Sequence, residues 1–296
     1  MDKFKGTGVA LVTPFSSNGK IDYSGLQKLV EFQINNGINY LVVQGTTGES
    51  VTLSEEEKIA VLDYIIEINA GRLPILLGVG GNNTLAVCEK IKLFSSYKID
   101  GFLSVSPYYN KPTQAGIFQH YKVIANSTNL PIIIYNVPGR TSSNISSQTT
   151  LELASSITNI VGVKEASGDL EQIMNIILKK PANFLVISGD DALTLPHICV
   201  GGDGVISVIA NAFPKRFSTM VHAALNNNLS LANEKHYELF EIIHYLFKDG
   251  NPAGIKHVLK LINICSDNVR LPLVNITEKT ADKLYELVAS IDDTLV

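Results

Sequence analysis

From residue 8 to about residue 226, short apolar runs alternate with longer amphipathic stretches, and this alternation limits the folds open to the chain more than any other feature. The apolar runs are Gly8–Thr13, Asn39–Val43, Pro74–Val79, Gly101–Val105, Pro131–Tyr135, Ile160–Lys164, Phe184–Ile187 and Gly204–Val208. Runs this short cannot be helices, and continuous apolar character fits strands buried on both faces, as in a parallel sheet. The stretches between them read as helices. Asp22 caps one that runs to about Asn36, with Leu26, Leu29, Val30 and Ile34 as its apolar stripe. Ser54-Glu55-Glu56-Glu57 opens the next with a capping-box pattern and an acidic first turn. Others are predicted over Thr84–Tyr97, Thr113–Ser127, Ser146–Ser156, Asp169–Leu178, Asp191–Val200 and Ala212–Asn226. Eight sequential βα units with short connections are best satisfied by an α/β fold, the closed (β/α)8 or TIM barrel with helices outside. A doubly wound open sheet is the alternative, but no G-x-G-x-x-G follows the first strand, which weighs against a dinucleotide-binding version.

The alternation stops at Asn226-Asn227-Asn228. Beyond it, Ser230–Phe247, Pro252–Cys265 and Thr277–Ser290 look helical, with no strands between them. The expected organisation is a catalytic barrel over 1–226 and a C-terminal helical appendage over 227–296.

Composition narrows the function classes. A chain with 45% hydrophobic and 18% charged residues is globular, and a net charge of −4 offers no basic footprint for nucleic acid or a membrane surface. Cys88, Cys199 and Cys265 are far apart and match no metal-ligand or C-x-x-C spacing. The six histidines (His120, His197, His222, His236, His244 and His257) fall on predicted helices without a ligand pattern, so no metal site and no cofactor is expected. Met1-Asp2-Lys3-Phe4-Lys5 does not open a signal peptide, and no apolar run reaches the ~18 residues of a membrane span. A soluble, cytoplasmic chain is expected.

In a βα barrel the active site sits at the C-terminal ends of the strands, and the unusual polar residues gather there. The second strand ends in Gly45-Thr46-Thr47-Gly48-Glu49, whose glycines leave backbone N–H groups free to meet a small anion. The fourth runs into Ser106-Pro107-Tyr108-Tyr109-Asn110, and the fifth ends at Tyr135, followed by Asn136-Val137-Pro138-Gly139-Arg140-Thr141. Lys164 ends the sixth, Ser188-Gly189-Asp190-Asp191 follows the seventh, and Ile206-Ser207 lies near the end of the eighth. Burial lowers the pKa of a lysine, and a partly neutral amine can attack a carbonyl to form a Schiff base. Each residue also has a plain structural reading. Lys164 could lay its stem on apolar surface with its head in water. Thr46 and Thr47 could be turn residues, Tyr135 a strand-end aromatic, and Arg140 half of a surface ion pair. Asp190 and Asp191 could be helix N-terminal charges, the reading favoured for Asp191. What favours chemistry is convergence, because unrelated surface residues would not all fall on one face of the barrel.

The same residues carry a resemblance. Gly8-Val9-Ala10-Leu11-Val12-Thr13-Pro14-Phe15, Gly45-Thr46-Thr47-Gly48-Glu49, Tyr135-Asn136-Val137-Pro138, Lys164, Asn251-Pro252 and Arg270-Leu271-Pro272 resemble the pyruvate-dependent class I aldolases. That family includes dihydrodipicolinate synthase and N-acetylneuraminate lyase, and the resemblance covers essentially the whole chain. Val137-Pro138-Gly139-Arg140-Thr141, Tyr108–Pro112 and Ser188–Asp191 resemble the synthase branch, and the lyases lack the arginine. The resemblance implies a Schiff-base lyase that condenses pyruvate with L-aspartate 4-semialdehyde to 4-hydroxy-tetrahydrodipicolinate, for lysine and diaminopimelate biosynthesis. It implies Lys164 as nucleophile, with Tyr135, Thr46 and Tyr109 as a proton relay and Tyr109 reaching in from a neighbouring subunit. It further implies that the Thr46 and Thr47 N–H groups hold the pyruvate carboxylate, that Gly189 and Ile206 contribute backbone contacts, and that Arg140 binds the semialdehyde carboxylate. A homotetramer built as a dimer of dimers is implied as well. A sugar-acid lyase of the same family, or a barrel that binds a keto acid without turnover, are the alternatives. Lysine-inhibited relatives bind lysine near the positions of Ser50, Val51, Asn82 and Tyr108, with a histidine or aromatic at Glu55 and an acidic residue at Ala86. The residues found here imply weak or absent inhibition by lysine.

Overall fold

The protein is described by a computed structural model covering residues 2–291. Eight strands form a closed parallel barrel in sequence order, with β1 pairing β8 to close it. They are β1 (Gly6–Ala10), β2 (Tyr40–Val43), β3 (Ile75–Gly78), β4 (Gly101–Val105), β5 (Ile132–Asn136), β6 (Ile160–Glu165), β7 (Leu185–Ser188) and β8 (Gly204–Ser207). Around them stand α1 (Tyr23–Asn35), α2 (Glu55–Asn69), α3 (Thr84–Phe94), α4 (Gln114–Ala125), α5 (Pro138–Thr141), α6 (Ser147–Ser156), α7 (Leu170–Lys179), α8 (Thr194–Cys199) and α9 (Pro214–Leu225). The chain then continues through α10 (Leu229–Leu246), α11 (Ala253–Leu261) and α12 (Glu278–Ser290). Among the described residues no helix is long and apolar enough to cross a membrane.

The caps explain why the helices start where they do. Asp22 accepts from the Gly25 N–H, and Ser54 and Glu57 form the full reciprocal capping box of α2. Asn83, Thr113, Ser146 and Asp169 cap α3, α4, α6 and α7 in the same way.

Side-chain alternation along the strands produces two cores. Tyr40, Val42, Leu76, Leu103, Ile133, Leu185 and Ile187 point inward and fill the barrel, while Leu41, Val43, Leu77, Ile132, Ile134 and Val186 face the helices. This filled interior occupies the lower barrel and leaves the C-terminal mouth, where active sites of such barrels sit, open to a ligand.

Two local differences from the sequence reading have physical causes. The first strand ends at Ala10 rather than Thr13, because the chain leaves the ladder to make other bonds. The Val12 N–H donates to the Asn211 side chain, and the Thr13 hydroxyl donates to the Gly48 carbonyl at 2.7 Å. The helix predicted from Asp191 begins only at Thr194, so Asp191 is not a charge in its first turn.

Candidate active site

The alternation breaks once, in β6. Val161 faces the barrel interior, yet so does Lys164, three residues on, while Ile160 and Val163 face the helices. A strict two-residue period would send Lys164 outward. The register supplies the reason: Ile132 pairs with Ile160 but Ile133 pairs with Gly162, so one extra residue is inserted into β6 as a bulge. Gly162 suits that point, since a Cβ there would lie 2.9 Å from both the Cβ and the carbonyl oxygen of Leu185. The bulge re-aims the lysine into the barrel.

Lys164 is consequently buried, with 6% of its surface exposed. Its Cα partner on β5 is Tyr135, and its Nζ lies 4.3 Å from the centre of the Tyr135 ring. Burial pushes the amine down to about 8, with the Asp191 carboxylate opposing that fall and the Arg140 guanidinium adding to it. Burial raises the Tyr135 phenol, against the Arg140 charge and hydrogen bonding from Thr46. Gly189, at the end of β7, lets the lysine pass: a Cβ there would sit 3.0 Å from the Lys164 Cε. Ile206 is a buried member of the same interior cluster.

The turn after β2 is a 3-10 turn, Thr46–Gly48, bracketed by the left-handed residues Gln44 (φ 59°) and Glu49 (φ 50°). The Gly48 and Glu49 N–H groups bond back to Gly45 and Thr46, whereas those of Thr46 and Thr47 stand at the open start of the turn. The Thr47 hydroxyl accepts from the buried Asn251 side chain at 2.9 Å. Glu49 is held by a buried ion pair with Lys256 of α11 and by the Arg270 N–H at 3.0 Å. Residues beyond the barrel therefore fix this turn from behind.

Thr46, Tyr135 and Arg140 line one cavity of about 510 Å³ at the barrel mouth, which extends outward past Ser50, Lys58 and Tyr108. Arg140 sits on α5, a single turn begun by Pro138. The site thus joins an amine, a phenol, a hydroxyl, free N–H groups and a guanidinium, a set suited to imine chemistry on a carboxylate-bearing carbonyl compound. Among the described residues no group of three or more His, Cys, Asp or Glu is placed to hold a metal ion.

Tyr109 is not brought to this site by its own chain. It has φ 73° and is 88% exposed, next to the half-exposed Tyr108. Asp191 corrects the reading as a helix-end charge. It is buried, and it accepts from the Val208 N–H at 3.0 Å, the Ile209 N–H at 2.8 Å and the Ser207 hydroxyl, binding the loop after β7 to the end of β8. Burial lifts its carboxyl to about 6 against those bonds. The sequence signal for it was only its place after Ser188-Gly189. Glu165 and Asn136 also escaped the sequence reading; both are buried and directed outward from β6 and β5.

A sequence model of the dihydrodipicolinate synthetase family matches residues 3–291. The chain belongs to the dihydrodipicolinate synthetase family. A 4-hydroxy-tetrahydrodipicolinate synthase of Flavobacterium psychrophilum is 50% identical over 284 residues, which is 96% of this chain and 97% of that one. One from Parabacteroides distasonis is 51% identical over 284 residues, 96% of each chain. Among solved structures, a dihydrodipicolinate synthase of Thermotoga maritima superposes with a TM-score of 0.95 at 40% identity, covering 97% of this chain and 98% of that one. Family membership and the barrel geometry agree over the same span.

Proposed function

We propose that this chain condenses pyruvate with L-aspartate 4-semialdehyde to give 4-hydroxy-tetrahydrodipicolinate, as a lyase of lysine and diaminopimelate biosynthesis. The observation that carries the proposal is the buried Lys164 amine, partly neutral near neutral pH and set against the Tyr135 ring in the barrel mouth. The free amine attacks C2 of pyruvate, and the carbinolamine loses its oxygen as water once a proton reaches it. The Tyr135 phenol, whose ring lies against the amine, supplies that proton, and Thr46, hydrogen-bonded to it, links it onward. The resulting iminium withdraws electrons, so the pyruvate methyl group gives up a proton and becomes the nucleophilic carbon of an enamine. That carbon adds to the aldehyde of the second substrate, and the substrate amine then displaces Lys164 in closing the ring.

The other roles are part of the same proposal. The Thr46 and Thr47 N–H groups hold the pyruvate carboxylate, with Gly189 and Ile206 as backbone neighbours of the reacting carbon. Arg140, with its planar fork of donors, takes the semialdehyde carboxylate. Tyr109 completes the relay in the site of a neighbouring subunit, within a homotetramer built from two such dimers. No cofactor enters this scheme.

Borohydride reduction in the presence of pyruvate, followed by peptide mass analysis, tests the chemistry. A reduced pyruvyl adduct on Lys164 is expected, and its absence rejects the mechanism. Arg140→Ala should mainly impair use of the semialdehyde; if it leaves that substrate unaffected, a sugar-acid lyase becomes the better reading.

A further inference from the structure

The register that sets Tyr135 beside Lys164 inside the barrel sets Asn136 beside Glu165 on its outer face. Both outer residues are buried, with Asn136 at 0% and Glu165 at 2% exposure. Glu165 is a carboxylate whose partners, among the described residues, are neutral N–H and O–H donors, the Ser167 hydroxyl among them. It accepts from Asn136 Nδ2 at 3.0 and 3.1 Å, from the Ser167 N–H at 2.9 Å and from Gln172 Nε2 at 3.0 Å. Burying such a charge is costly unless its hydrogen bonds are made, so these contacts hold its neighbours firmly in return.

Those neighbours close a loop. Asn136 is the last residue of β5, and its Oδ1 accepts from the Ile145 N–H, nine residues on, at 2.9 Å. Its Nδ2 also donates to Asn144 Oδ1 at 2.8 Å, and Asn144 Nδ2 donates to Gln172 Oε1 on α7 at 2.8 Å. Gln114 of α4 adds a second hold from outside, donating to the Asn144 carbonyl and accepting from the Ser146 N–H. The segment between these pins is the one that carries Arg140. One side chain thus cinches both ends of the Arg140 segment, and the residue immediately after the nucleophile anchors that side chain.

We propose that Glu165, Asn136 and Asn144 are positioning residues that set the distance between Arg140 and Lys164, and so fix where the carboxylate of the second substrate lies relative to the enamine. This rests on the reading of Arg140 and Lys164 given above. Pyruvate, held by Lys164 and the Thr46–Thr47 turn, does not depend on this latch; the aldehyde acid does.

The test compares Asn144→Ala and Glu165→Gln with the unmodified enzyme. Asn144 is exposed, and Glu165→Gln keeps the shape of the side chain, so both variants should fold. The KM for L-aspartate 4-semialdehyde should rise roughly tenfold, the order expected when a positioning group shifts by a fraction of an ångström. The pyruvate KM and the rate of borohydride trapping on Lys164 should stay within about twofold in the same variants. An unchanged KM for the semialdehyde, or equal losses for both substrates and for trapping, overturns the latch. Failure of trapping in the unmodified enzyme would instead overturn the Schiff-base reading, so the two failures are distinguishable.

Discussion

The Lys164 amine lies against the Tyr135 ring and feels both the Asp191 carboxylate and the Arg140 guanidinium, two full charges that pull it in opposite directions. Asp191 stabilises the ammonium and Arg140 destabilises it, with burial acting on the same side as Arg140. Only the free amine attacks a carbonyl, so the rate of borohydride-trapped imine formation should climb with pH through an apparent value near 8. Removing the negative charge in Asp191→Asn lowers the lysine pKa further and moves that limb to lower pH. Removing the positive charge in Arg140→Ala moves it to higher pH. Trapping profiles that shift the same way in both variants, or in neither, would show that these charges do not govern the amine. The two residues differ in how readable they were. Arg140 lay in a distinctive stretch behind Tyr135, whereas the role of Asp191 depends on the path of a loop that folds back onto the Val208 and Ile209 amides. No spacing along the chain encodes that return.

At the scale of elements, period and caps located the strands and helices, but they did not show how β6 aims its lysine. Ile160-Val161-Gly162-Val163-Lys164 reads as a continuous apolar run, and in such a run the two faces look alike. The bulge at Gly162 becomes visible only when β5 lies alongside. The single turn of α5 and the 3-10 turn at Thr46 were likewise too short to leave a periodic signal. Helices α2 and α3 carry a further consequence. Glu55 of α2 receives both Lys58 and Lys90 on one carboxylate oxygen at 2.8 Å each, while Ala86, near the start of α3, offers no charge. Lys58, Lys90, Ser50 and Tyr108 line the outward extension of the active-site cavity. A free lysine entering there would bring its ammonium groups against two others, with the one carboxylate already shared. Half-inhibition by lysine should therefore require more than about 1 mM, the weak end of specific binding. A rate assay giving half-inhibition far below that concentration would refute this.

Across the whole molecule, the barrel and the C-terminal helices share responsibility for the site. The Lys256–Glu49 pair and the Asn251–Thr47 bond run from around α11 to the turn whose N–H groups are assigned to pyruvate. Side chains on either side of residue 226 are thus tied together at the site. A single chain still leaves Tyr109 exposed and outside the lining of its own cavity, while Val51 and Leu85 are exposed as well. If Tyr109 serves a neighbour's site, two inactive variants should repair each other. In a mixed dimer of Tyr109→Phe and Lys164→Ala chains, one site receives both lesions and the other receives neither. Differently tagged chains, co-expressed and purified through both tags, should therefore recover a large part of the condensation activity that each variant lacks alone. Were Tyr109 to act within its own chain, every site in the mixed dimer would carry one lesion and activity would stay at the level of the single variants. A Tyr109→Phe enzyme as active as the unmodified one would remove Tyr109 from the relay altogether, leaving Tyr135 and Thr46 to move the proton.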